Sequence, residues 1–323
     1  MKDYGEIPGG KNELQPLLYP FQQTYPNKLW SKYRWFRNSR LPSILKSLNK
    51  RRKWLTLIDR LGAPGDALIT ANVIRCIKEQ YPGLKINCIT PHPELIRLDP
   101  NIDSINQNET FYSFDSTYWE LIVRKEKSLN IIEHNMLRLG IDKYEYKAAF
   151  YLSEEEKKWA MQETNQFDKP ILAICTKSKE PVKNWSEENW LELIQNLKAK
   201  FSIIQLGDDK EPLFDGTHRY AGKLSMRETA AVLSKANYFT GPDTLLMHIA
   251  NGLNVPSTII FGGSRPVACF GYSENVNLRN TPECSPCWIH EGYELCQHDL
   301  KCLTHISFSQ VLESINYSIN NNS

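Results

Sequence analysis

The stretch WLTLIDRLGAPGDALITANVIRCIKEQYPGLKINCIT (residues 54–90) decides the fold class. WLTLI (54–58) predicts a buried strand that runs into a Gly-Pro-Gly loop. A helix opens at about Asp66 and continues to about Gln80, with Leu68, Ala71, Ile74 and Ile77 near one face. YPG stops it, and LKINCIT (84–90) is a second strand. Strand, helix and strand in this order call for a parallel sheet with right-handed crossovers. The loop lacks the G-x-G-x-x-G spacing of a dinucleotide fingerprint and the G-K-[ST] ending of a P-loop. It ends in a carboxylate, which would repel a phosphate. Asp66 therefore has two readings, a helix cap or a general base held at the edge of a cleft.

Outward from this unit the rhythm repeats. IDSIN (102–106) and WELIV (119–123) are shorter strand candidates, and NIIEHNMLRLGI (130–141) reads as a helix stopped by Gly140. A capped helix starts at Ser153. Strands are then expected at 170–176, 201–207 and 257–262, and helices at 186–200, 225–236 and 307–319. Two such series, separated near 152–168, predict two Rossmann-like α/β domains facing a cleft. Their boundaries read as 54–160 and 161–323, after an extension over 1–53. Ligands of such sheets lie outside the carboxyl ends of the strands. That edge should carry the loops at 60–66, 176–185, 207–211, 241–244 and 262–266.

A length of 323 residues suits two domains, and 41% hydrophobic with 24% charged residues describes an ordinary globular chain. No apolar run reaches the ~18 residues of a membrane-spanning helix. The first eighteen residues lack the apolar core of a secretory signal, and Cys76, Cys88, Cys175 and Cys269 sit singly in apolar surroundings. A reducing, bacterial-type cytoplasm is the expected compartment. Between Lys28 and Lys53 stand ten Lys/Arg and no Asp or Glu, with Trp30, Tyr33, Trp35 and Phe36 interleaved. That run has three readings: packing on the body of the protein or another subunit, contact with anionic lipid at the inner membrane, or nucleic-acid binding. No recognised reading module supports the last, and no nucleic-acid partner is expected.

Two further stretches carry chemistry. In TGPDTLLMHIANGLNVPSTIIFGGSRP (240–266), Asp243 precedes a helix that turns Leu246, Ile249, Ala250 and Leu253 toward a core. The first free N–H groups, near Thr244 to Leu246, make an anion site that Asp243 would cap or flank. His248, one turn in, is either a satisfied structural histidine or a bridge to the neighbouring loop. The loop in CTKSKEPVKNWSEENW (175–190) holds Lys177, Lys179 and Lys183, solvated or set against a phosphate.

Five separated motifs in order, R-L-x-x-x-G-D-x-L-x-T, a K-x-W loop, L-G-x-x-x-E (206–211), G-P-D-T…M-H-x-A…P…I-F-G and a cysteine cluster, resemble glycosyltransferase family 9, the ADP-heptose heptosyltransferases. The resemblance covers about residues 54–310. It implies a glycosyltransferase B-type fold, with the acceptor on the first domain and the nucleotide sugar on the second. It also implies an inverting transfer of a sugar, by resemblance heptose from ADP-heptose, to a hydroxyl of a glycan or protein such as lipopolysaccharide. Asp66 matches the catalytic aspartate and Lys183 the phosphate-binding lysine. Thr176 lies where a hydroxyl contact to the donor is usual, Glu211 matches an acidic position near the ribose and Leu224 one lining the base, and Asp243, Thr244 and His248 match the donor-site motif. Leu245 departs from the pattern, standing where the family has glycine. No catalytic magnesium is implied.

Cys284, Cys287, Cys296 and Cys302 lie in CSPCWIHEGYELCQHDLKC, with His290, His298 and His305 nearby. Four thiolates in so short a stretch suit a structural zinc or iron site, and the stretch resembles the four-cysteine iron finger of autotransporter heptosyltransferases. Reduced thiols or two disulfides are the alternatives. Two rival functions share the architecture: a nucleotide-sugar epimerase, which needs no acceptor, and a non-catalytic nucleotide-binding or assembly protein. An oligomer is compatible with each.

Overall fold

The structure, a computed structural model, describes residues 41–108, 110–288 and 296–321. Most of the extension, including 28–40 of the basic run, lies outside the described residues, as does His290. Residues 41–50 form α1, which buries Leu41, Leu45 and Leu48 at helical spacing. Packing therefore accounts for the apolar side of this part of the run. Lys46, Lys50 and Arg51 stay exposed on its other side.

The first unit continues with β1 (Trp54–Asp59), α2 (Pro64–Gln80), β2 (Lys85–Ile89), α3 (Pro93–Ile96), β3 (Ser104–Ile105), β4 (Ser113–Ser116), α4 (Trp119–Arg124) and α5 (Ile131–Leu139). Its four strands pair in parallel in the order β3-β2-β1-β4. WELIV is thus a helix, not a strand. Leu121 and Ile122 are buried, and Lys125 ends the helix in a left-handed conformation. The strand beside β1 is SFDS, whose one large apolar residue, Phe114, gave too little alternation to read.

The second unit holds α6 (Glu154–Thr164), β5 (Ile171–Ile174), α7 (Glu187–Leu197), β6 (Ser202–Gln205), β7 (His218–Arg219), α8 (Met226–Leu233), β8 (Tyr238–Pro242), α9 (Leu245–Gly252), β9 (Ser257–Phe261), α10 (Val267–Phe270), β10 (Val276–Arg279), α11 (Lys301–Thr304) and α12 (Phe308–Asn321). Its six-stranded parallel sheet has the order β10-β9-β8-β5-β6-β7. No helix among the described residues is long and apolar enough to cross a membrane.

Each sheet reverses its strand order once, between β1 and β4 in the first and between β5 and β8 in the second. Loops diverge at such points and leave a crevice beyond the strands' carboxyl ends. The two crevices meet because α2 and α9, the helices that start there, pack on each other. At the back of the cleft Arg227 on α8 pairs with both Glu156 oxygens at 2.6 Å and donates to the Glu94 carbonyl on α3 at 2.9 Å. The connection between α5 and α6 ties both units as well. The Tyr146 hydroxyl donates to the Phe270 carbonyl at 2.8 Å, and the Ala148 N–H to Asn251 Oδ1 at 2.8 Å.

Candidate active site

A cavity of about 640 Å³ occupies the meeting point of the two sheet edges. From the first unit it is lined by the turn Ala63–Asp66 and by Tyr118, and from the second by Lys183, Leu224, Asp243, Thr244 and His248.

α2 opens at Pro64, two residues earlier than expected, so Asp66 is its third residue. Asp66 Oδ2 accepts from the Ala63 N–H at 3.1 Å, and Oδ1 accepts from the Tyr118 hydroxyl at 2.8 Å. Asp66 is therefore a cap, yet each oxygen keeps a second lone pair. Burial is the main force on the carboxyl and pushes it up to about 6. The two hydrogen bonds and the charge of Lys183 oppose that rise, and Asp59 adds to it. Burial and the adjacent Asp66 charge push the Tyr118 phenol far up, so it stays a donor. At neutral pH Asp66 is ionised and more basic than an ordinary surface aspartate.

The opposite wall is the turn from β8 into α9. Thr244 is the N-cap in extended conformation, and its buried hydroxyl has no hydrogen-bond partner among the described residues. A ligand oxygen would satisfy it. Lys183 Nζ lies 3.2 Å from the Asp243 carbonyl, 3.3 Å from Asp243 Oδ2 and 3.6 Å from Glu180 Oε1. Leu245, the first helical residue, also faces the cavity.

His248 joins the two walls. Its Nδ1 is 2.7 Å from the Tyr272 hydroxyl, and its other edge lies against the first loop, where a Cβ on Gly65 would stand 3.1 Å from Cδ2. A side chain at residue 65 would crowd the imidazole, which glycine avoids. Burial lowers His248 to about 4, against the pull of Asp243 and with help from Lys183, so the ring is neutral.

Thr176 and Glu211 do not line the cavity. The Glu211 carboxylate accepts from the N–H groups of Thr176 and Lys177, from the Thr176 hydroxyl and from Gln205 Nε2. It organises the loop after β5. Gly207, at φ 130, makes room for it, since a Cβ there would stand 2.7 Å from Glu211 Oε1. The acids that reach the cavity on this side are Asp208 and Asp209.

Cys284, Cys287, Cys296 and Cys302 line a second pocket of about 390 Å³ together with His298. Burial and the other three thiols raise the Cys302 thiol. The donor set fits a tetrathiolate ion, although no three His, Cys, Asp or Glu side chains among the described residues stand at ligating separation. The segment is tied to the cleft: the Cys287 N–H donates to the Gly263 carbonyl at 3.1 Å, and the Trp288 N–H to the Ser264 carbonyl at 2.9 Å.

Sequence reasoning missed Tyr118, Glu180, Arg265 and Phe270, all of which line the cavity. Tyr118 belongs to no motif, and Glu180 is masked by flanking lysines. Arg265 falls within a quoted stretch, but only the fold turns it inward.

Residues 111–296 match the family model for glycosyltransferase family 9 (heptosyltransferase). Among solved structures, the chain is similar to the iron-containing dodecameric glycosyltransferase TibC from enterotoxigenic E. coli H10407, with TM-score 0.67, 19% identity, and coverage of 84% of this chain and 77% of that one. A structure of TibC in complex with ADP-D-beta-D-heptose gives TM-score 0.63, 17% identity, and coverage of 84% and 76%. The ADP-heptose LPS heptosyltransferase II of E. coli gives TM-score 0.62, 13% identity, and coverage of 83% and 99%. No curated protein matches the chain in sequence.

Proposed function

This chain belongs to glycosyltransferase family 9, and from that premise we propose that it moves heptose from ADP-heptose to a hydroxyl of a glycan or protein, with inversion. The observation that carries this reading is one cavity with a lone raised carboxylate, Asp66, on one wall and Lys183, Asp243 and the Thr244 helix start on the other. Asp66 takes the acceptor proton. The acceptor oxygen attacks the anomeric carbon, and the bond to the diphosphate oxygen breaks with its electron pair. Lys183 and the α9 N–H groups meet the charge that develops there. Leu224 packs on the base, and His248 holds the two walls in register. The buried Glu211 and Thr176 act on the donor through the loop they shape. The acceptor side is taken as 54–160 and the nucleotide side as 161–323. A donor complex of TibC with an ADP-sugar supports the choice of ADP. Thermal protection tests it: ADP should raise the melting temperature more than UDP or GDP at equal concentration. Equal shifts, or a preference for UDP, would remove the ADP assignment.

Cys284, Cys287, Cys296 and Cys302 are the residues that would hold a structural zinc or iron, an assignment supported by their shared pocket and by the description of TibC as iron-containing. Such an ion would fasten the segment that carries them. Elemental analysis of protein purified without added metal should find about one ion per chain. Cys287→Ser should lower the melting temperature more than it lowers turnover per folded molecule. A folded, metal-free protein with four titratable thiols contradicts the assignment.

The same reading takes the enzyme as cytoplasmic and peripheral at the inner membrane through residues 28–53, a proposal supported by the exposed Lys46, Lys50 and Arg51. An oligomer is in keeping with the dodecameric TibC.

A further inference from the structure

We propose that Arg265 is a second cation for the donor diphosphate and that Glu180 is the counter-ion holding it and Lys183 until the diphosphate arrives. This rests on the donor-site reading above. Arg265 sits on the loop from β9 to α10, and its side chain is only 5% exposed. Its Nη2 lies 3.2 Å from Glu180 Oε2 and 3.3 Å from Oε1, and its guanidinium lies 5.6 Å from the centre of the Phe270 ring. Glu180 Oε1 is also 3.6 Å from Lys183 Nζ. One carboxylate thus faces both cations, and all three residues line the cavity into which Thr244 opens.

A buried guanidinium needs a partner. Glu180 supplies one, and at 28% exposure it is the member of the trio closest to water. A diphosphate offers more charge and more acceptor oxygens, and it matches the planar fork of arginine with two parallel hydrogen bonds. On its arrival Arg265 and Lys183 exchange Glu180 for phosphate oxygens, and the carboxylate turns to solvent. Charge on the diphosphate grows as its bond to the sugar breaks, so the same two cations favour the transition state further. The loop is braced for this, because the Ser285 hydroxyl and the Cys287 N–H both donate to the Gly263 carbonyl two residues before Arg265. The cysteine segment therefore positions Arg265.

Titration calorimetry with ADP, inorganic pyrophosphate and adenosine tests the exchange on wild type, Arg265→Gln, Arg265→Lys, Glu180→Gln and Lys183→Ala. Arg265→Gln should weaken ADP and pyrophosphate by about 10–100-fold, the worth of a charged hydrogen bond, and leave adenosine unchanged. Arg265→Lys should fall between it and wild type. Glu180→Gln should tighten ADP and pyrophosphate several-fold, since it removes the competing charge. Arg265→Gln and Glu180→Gln each remove the same ion pair, so a purely structural pair would shift both melting temperature and affinity in one direction. Wild-type affinity in Arg265→Gln overturns the proposal, as does equal weakening in the two variants. Should Arg265→Gln not fold, failure of Glu180→Gln to tighten pyrophosphate is enough to overturn it. Loss of binding in Lys183→Ala alone rejects Arg265 and keeps the donor site. Unchanged binding in Lys183→Ala as well rejects both.

Discussion

Two strand-to-helix turns face each other across the cavity, β1 into α2 and β8 into α9, and each presents one aspartate. The slots are topologically alike and electrostatically opposite. Among the described residues the hydrogen bonds to Asp66 come from neutral donors, the Tyr118 hydroxyl and the Ala63 N–H, Lys183 acts on it through its charge alone, and burial holds it near 6. Asp243 meets the ammonium of Lys183 at 3.3 Å beside the Thr244 N-cap hydroxyl, which has no hydrogen-bond partner among the described residues. A carboxylate raised by burial and paired with no cation is poised to take a proton, whereas one in direct contact with a cation sits where an anion can be met. Neighbours, not residue type, divide the labour between the walls.

Neutralising the first aspartate should have the largest effect. Asp66→Asn should lower the transfer rate by roughly 10²–10⁴, the usual worth of a positioned base, with ADP affinity unchanged. Its stability should move the other way. The folded carboxyl titrates near 6 against 3.8 as its reference, so the folded state holds the proton more tightly. The stability this confers is complete below about pH 4 and is lost as pH rises through 6, which makes the ionised form costly by about 3 kcal/mol at neutral pH. Asparagine keeps one acceptor and carries no charge. The variant should thus melt no lower than wild type at pH 7 and above. A lower melting temperature with near-normal turnover would make Asp66 a cap alone.

A smaller effect is expected on the other wall. Lys183→Ala should weaken ADP by about 10-fold and reduce kcat/KM by more, because its charge meets the phosphates in the ground and transition states alike. Calorimetry beside steady-state kinetics separates the two parts. Unchanged ADP binding would remove the lysine from the donor site.

The β1–α2 unit was legible because a buried parallel strand is a continuous apolar run and its helix carries a periodic apolar face, whereas α9 was legible by its apolar face alone. WLTLI stands out from its loop with Asp66 and a helix start behind it, and TGP is followed in the same way by Asp243 and a helix start. SFDS was not legible, because a short strand with one large apolar side chain is specified by its pairing with β1 and not by its own pattern. WELIV reads equally as strand or helix over five residues, and the tertiary setting decided it. The site followed the same division. Asp66, Lys183 and Asp243 lie in segments that were read from the sequence as loops or helix starts at the sheet edge. Tyr118 and Arg265 reach the cavity only because β4 and β9 end where they do. Glu211 sat in a recognisable motif, yet its own oxygens are taken up by the Thr176 loop, a fact of side-chain geometry that spacing does not carry.

The smallest expected effect sharpens the contrast at the first wall. Tyr118→Phe removes a hydrogen bond that lowers the Asp66 carboxyl, so the acid limb of the rate should move to higher pH by about half to one unit, with ADP affinity unaltered. An unmoved limb would show that the tyrosine only packs.

Whether the buried carboxylate at the start of α2 is the base can be read from the pH dependence of kcat/KM in the wild type and in Asp66→Asn. The wild type should lose activity on the acid side with an apparent pKa near 6, the value that burial imposes on Asp66. The residual rate of Asp66→Asn should lack that limb. A wild-type limb at the ordinary aspartate value near 4, or the same limb retained in Asp66→Asn, would contradict the account.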